Sequence, residues 1–105
     1  MHEIISGSLK SHWEDLLKNG QSLVFKKNQV LFYEGHMPYG VFVLQSGRVH
    51  FDQAKNACHD NVNVIPGQAM GVESFCRDEP YCCTCVADED CKVVFLSKTQ
   101  LMPYL

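Results

Sequence analysis

Residues 71–85 read GVESFCRDEPYCCTC, a stretch that gathers four of the chain's six cysteines. Thiolates act as nucleophiles, metal ligands and redox partners, so any chemistry would be sought here first. Zinc and iron–sulfur centres favour Cys-x2-Cys pairs, whose two sulfurs converge on one ion. The spacing here is Cys-x5-Cys-Cys-x-Cys. On a strand over 82–87, Cys83 and Cys85 point to one face and Cys82 to the other. At most two of these three could then share a ligand without a bulge. The leading reading is therefore packing, with small buried thiols filling a tight core. A metal or cluster site and a redox-responsive thiol pair stay open as alternatives, with Cys76, Cys82, Cys83 and Cys85 as the candidates. Only Cys58 and Cys91 lie far enough from the group to close useful loops, and MHEIISGSLK lacks the build of an export signal. Reduced thiols in a cytoplasmic protein are the expectation.

Other reactive side chains form no pattern that points to catalysis. His36 falls in a polar turn, and His50 alternates outward between Val49 and Phe51, so solvated surface is expected for both. Cys58-His59 sits in the loop KNACHDN and reads as loop filler. The sequence holds no His-x-His pair, nucleophile elbow or Walker-type glycine loop, and it is not expected to be an enzyme. A net charge of −3 with nine scattered Lys and Arg offers no phosphate-binding patch, so direct nucleic-acid contact is not expected. No apolar run approaches the roughly 20 residues that cross a bilayer, so no membrane association is expected either.

The elements that must position this stretch are mostly strands. Ser11 and Glu14 form a capping box, Leu9, Trp13, Leu16 and Leu17 make an apolar stripe, and Gly20 is placed to stop a helix spanning about 9–19. Short apolar runs broken by Gly, Asn, Asp and Pro follow over about 22–96, the mark of an antiparallel β-domain. The candidate strands are SLVFKK, QVLFYEG, GVFVLQSGRVHFDQ, VNVIPG, CTCVAD and CKVVFLS. Ser46-Gly47 is expected to be a tight hairpin turn using positive φ at Gly47, and Pro66-Gly67 a second break. Phe42, Leu44, Val49, Phe51, Val64, Phe75, Val94 and Leu96 should supply most of the core. SKTQ at 97–100 is another capping box, so a short, truncated helix starts from residue 97. The 105 residues make one domain, 1–105.

With these elements in order, FKKNQVLFYEGHMPYGVFVLQSGRVHFDQ (25–53) resembles the first half of the cyclic nucleotide-binding domain of CRP/FNR-type regulators. VIPGQAMG and DCKVVFLSKTQL extend the likeness over most of 25–101. The resemblance implies an antiparallel β-roll, a double-stranded β-helix or jelly roll, with a short N-terminal helix and a phosphate-binding cassette at the opening stretch. In nucleotide-binding members that cassette carries a Gly-Glu pair for the ribose and, further on, a Pro-Arg for the cyclic phosphate. Matched without gaps, Gly71 takes the Gly, Val72 the Glu, Pro80 the Pro and Tyr81 the Arg. A slip of one residue brings Glu73 to the ribose role, but none puts a base beside Pro80. A buried phosphodiester needs that cation, so ordinary cyclic AMP or cyclic GMP binding is not expected.

GVES is also similar to the pattern of the gas-sensing branch, but its cluster cysteines precede the roll, and here none precedes Cys58. Haem or an iron–sulfur cluster is not expected. Two uses remain. One is an effector-sensing regulatory domain whose ligand-binding residues would be Gly71, Val72, Glu73, Ser74, Tyr81, Cys82, Cys83 and Thr84, with an unknown small effector. The other is a ligand-free module that binds a partner protein or forms a homodimer. A site emptied of charge but open favours the first, and one plugged by Tyr81 and Phe75 favours the second.

Overall fold

The structure, a computed structural model, describes residues 13–52 and 64–104. Helix α1 (Trp13–Asn19) carries Glu14 and Asp15 in its first turn and Lys18 in its last, the charge order a helix dipole favours. Its Leu16 is buried, and Gly20 ends it, donating its N–H to the Leu17 carbonyl at 3.4 Å. The expected N-cap Ser11 lies outside the described residues.

Seven strands follow among the described residues: β1 (Gln21–Phe25), β2 (Val30–Phe32), β3 (Gly40–Ser46), β4 (Val49–Asp52), β5 (Ala69–Met70), β6 (Thr84–Ala87) and β7 (Cys91–Ser97). They form two sheets, ordered β1-β7-β3-β5 and β2-β6-β4, and every pairing is antiparallel. Helix α2 (Val72–Arg77) joins β5 to β6, and α3 (Lys98–Leu101), continued by a 3-10 turn (Met102–Tyr104), follows β7. The mainly antiparallel β-roll with short flanking helices is as expected.

Two apolar layers hold it. Phe42 and Leu44 from β3, Val93 from β7, and Cys85 and Ala87 from β6 meet between the sheets. Val41, Val43, Val94 and Leu96 point the other way and pack against Leu16, Val72, Phe75 and Leu101 of the helices. Strand β3 is thus buried on both faces from Gly40 to Leu44, which explains its unbroken apolar run. Phe51 and Val64 are only partly buried against the inter-sheet layer.

One expectation is corrected. Gly47 does take positive φ, at 96°, but Ser46-Gly47 is not a hairpin. Strand β3 pairs with β5 and β7, whereas β4 pairs with β6, so the turn carries the chain from one sheet to the other. The crossing is tight, since a Cβ on Gly47 would lie 2.6 Å from the Asp90 carbonyl oxygen and 2.7 Å from the Cys91 sulfur. The run VNVIPG also departs from strand. Its first two residues lie outside the described residues, and from Val64 to Gly67 it is loop and turn. The Gly67 N–H there donates to the Leu44 carbonyl at 2.7 Å.

Candidate functional site

The stretch Gly71–Cys85 runs from α2, packed in the outer layer, to Tyr81, Cys83 and Cys85 in the inter-sheet layer. Gly71 precedes α2 with φ 77°, and a Cβ there would stand 2.8 Å from the Tyr81 ring, so a bare glycine lets the ring lie against the backbone. Val72 and Phe75 face the outer layer with the helices. Ser74 is buried. Asp78 closes α2 in the left-handed region at φ 54°, its N–H donating to the Phe75 carbonyl.

The cassette's cation does not face the interior. Arg77 is exposed and its Nε lies 3.3 Å from Glu73 Oε2, a pair one helical turn apart. That oxygen is buried and the pair lacks hydrogen-bond alignment. Glu73 and Arg77 neutralise each other on the helix flank.

Tyr81 fills the interior instead. It is 6 % exposed, and its ring stacks on Phe32 with centroids 4.0 Å apart and planes at 19°. Phe32 in turn stacks on Phe42, whose ring meets Phe95 at 4.9 Å. The Tyr81 backbone is bracketed by the β2–β3 loop: its N–H donates to the His36 carbonyl and its carbonyl accepts from Gly35 N–H, both at 2.9 Å. Thr84 adds a third tie, its Oγ1 accepting from Glu34 N–H at 3.0 Å.

The cysteines separate by face. Cys83 and Cys85 are buried with Cys91 in the inter-sheet layer, whereas Cys76 packs half-buried against the outer one. Cys76, Cys83, Cys85 and Cys91 form no disulfide, and burial pushes the Cys85 thiol far above its ordinary range. Cys82 is disulfide-bonded, which corrects the expectation of reduced thiols at that position. It lies in a bend ahead of β6, half-buried against the same inter-sheet layer as Cys83 and Cys85, so the expected strand over 82–87 begins only at Thr84. Among the described residues no three His, Cys, Asp or Glu side chains are placed to hold a metal. Cys58-His59 lies outside the described residues.

Beside Tyr81 the surface is concave. A pocket of about 470 Å³ is lined by Leu31, Phe32, Phe42, Tyr81 and Phe95. Its rim is Tyr33, His36, Met37 and Tyr39 from the loop between β2 and β3. Sequence reasoning placed none of these but Tyr81 at the site. The available signal was the cluster of large apolar residues in YEGHMPY, a loop where polar residues would be ordinary.

Residues 22–105 match the model of the cyclic nucleotide-binding domain. The chain belongs to that family. Its fold is similar to the N-terminal domain of a transcriptional regulator from Streptomyces coelicolor A3(2), with TM-score 0.77 and 20% identity over 97% of this chain and 72% of that one. It is similar also to the Thermus thermophilus catabolite activator protein, with TM-score 0.74, 18% identity and 96% of this chain covered; the chain spans 48% of that protein. A cyclic-AMP-binding regulatory protein from Silicibacter pomeroyi, so named as putative, matches at TM-score 0.67 and 20% identity over 84% of this chain and 41% of the other. No curated protein matches the sequence. Among the described residues no helix is long and apolar enough to cross a membrane.

Proposed function

We propose that this member of the cyclic nucleotide-binding family is an effector-sensing regulatory domain in which the ordinary cyclic AMP and cyclic GMP mode is closed. The observation that carries this is Tyr81, buried and stacked on Phe32 where the family cassette needs a cation. A cyclic phosphate entering there would lose its hydration against an aromatic ring with no guanidinium to replace it, which is costly for a buried anion. The cassette's own cation, Arg77, is turned outward onto Glu73 and does not supply the missing charge. On this reading residues 1–105 act as one regulatory domain and not as an enzyme, in the cytoplasm, with DNA contact left to other domains or chains.

The Tyr81 plug also favours the second use, a ligand-free module for a partner protein or homodimer. Phe75, however, packs in the outer layer and leaves the space beside Tyr81 open, which favours the effector.

Calorimetric titration of the protein with cyclic AMP and cyclic GMP tests the reading. No saturable heat is expected from either nucleotide. Saturable binding that Arg77→Ala abolishes would overturn it, with Arg77 supplying the charge that Tyr81 does not.

A further inference from the structure

The loop between β2 and β3 exposes what water disfavours. Tyr39 is 77% exposed, Tyr33 52% and Met37 40%, and all three border one pocket. Single exposed apolar residues need no explanation, but a cluster around a concavity marks a binding surface. The pocket's volume, about 470 Å³, falls within the roughly 300–1,000 Å³ typical of small-molecule sites.

Its chemistry is narrow. The lining includes the rings of Phe32, Tyr33, Tyr39, Phe42, Tyr81 and Phe95, and no Lys, Arg, Asp or Glu. A charged ligand would give up its hydration here without a partner, whereas a flat ring would find faces and edges to stack on. Polar contact is left to His36 and the tyrosine side chains at the rim.

The rim is also held in place before any ligand arrives. Gly35 and His36 are hydrogen-bonded to the Tyr81 backbone, and the Tyr39 carbonyl accepts from the N–H of Lys98, the first residue of α3, at 2.8 Å. A preformed pocket spares the ligand an ordering cost. The same bonds connect it to the cassette on one side and to the C-terminal helix on the other.

We infer that this pocket binds a small, uncharged, largely apolar effector containing an aromatic ring, gripped between the inter-sheet phenylalanines and the Tyr33–Tyr39 rim. The inference deepens the effector-sensing reading and rests on it. Because Tyr39 hands its carbonyl to the start of α3, a ligand that shifts the rim also bears on that helix.

The test uses N-phenyl-1-naphthylamine, an uncharged aromatic amine that fluoresces in apolar surroundings, titrated into the whole chain. Saturable binding at one site is expected. Met37→Glu and Tyr39→Glu, both at exposed positions, should each weaken it at least about tenfold by placing a carboxylate on the rim. Ile65→Glu, an exposed apolar position that does not line the pocket, should leave it unchanged. Circular dichroism confirms that each variant is folded. The absence of saturable binding overturns the inference, as does equal weakening by all three variants. Displacement of the probe by cyclic AMP overturns the requirement for an uncharged ligand. A dimer in sedimentation equilibrium that Tyr39→Glu dissociates would show that a second copy, and not a small molecule, covers this face. Silence of the probe with no nucleotide binding sinks this inference alone, whereas nucleotide binding without probe binding also sinks the reading that the nucleotide mode is closed.

Discussion

Replacing Tyr81 by alanine removes the ring that fills the cassette. The side chain is 6 % exposed and stacks on Phe32 at 4.0 Å, so truncation loses both buried apolar area and a stacking contact. Large aromatic-to-alanine changes in cores cost about 3–5 kcal/mol. Tyr81 borders an open pocket, into which water can relax, and that places the expected loss near the lower end, about 3 kcal/mol. Of this, about 0.5–1.5 kcal/mol belongs to the ring pair and should appear as coupling in a double-mutant cycle with Phe32→Ala. Urea unfolding followed by circular dichroism gives both numbers from shifts in midpoint at constant slope. A domain of ordinary stability, about 5–15 kcal/mol, survives the single change. Tyr81→Phe keeps the ring and should cost less than half as much. A Tyr81→Ala loss within about 0.5 kcal/mol, the range of surface substitutions, would refute the claim that Tyr81 plugs the roll.

Gly71→Ala, which forces an L side chain into φ 77° and drives a Cβ to 2.8 Å from the Tyr81 ring, should destabilise by about 1–3 kcal/mol and perturb the near-ultraviolet circular dichroism of the packed tyrosine. His50 is hydrogen-bonded through Nδ1 to Asp88, with Asp52 Oδ2 3.4 Å from Nε2, and the Asp88 bond leads in raising its pKa above 6.5. Its contribution to stability is therefore complete below 6.5 and lost as pH rises through the raised folded value. His50→Gln should flatten the urea midpoint over that window, and an unchanged pH slope would exclude the pairing. Thiol labelling followed by mass spectrometry should modify half-buried Cys76 first, Cys83, Cys85 and Cys91 only on unfolding, and Cys82 only after reductant.

Much of this architecture was legible locally. Ser97 and Gln100 form the reciprocal capping box that SKTQ announces, with the Gln100 N–H donating to Ser97 Oγ at 3.2 Å. Positive φ at Gly47 and Gly67 follows from the only residue type that takes it without strain. The alternation that buries Cys85 and Ala87 on one face of β6 is a property of any strand with that spelling. These features depend on residues within a turn or a few positions of each other, so the sequence by itself determines them.

Partner choice lies beyond that reach. Ser46-Gly47 reads as a hairpin because hairpins join neighbours in sequence. Strand β3 instead pairs with β7, with Phe42 opposite Phe95, and only the packing of two sheets selects that partner. The same long-range pairing brings Phe95 beside Phe42 and the Tyr33–Tyr39 loop, so the pocket could not be assembled from any single stretch. The cassette divides likewise. The absence of Arg beside Pro80 is plain in the sequence, but whether Tyr81 would leave the space open or fill it depended on Phe32, forty-nine positions earlier, lying within stacking distance. Local preference decides a residue's conformation and which face it presents, whereas what that face meets is decided by the tertiary fold.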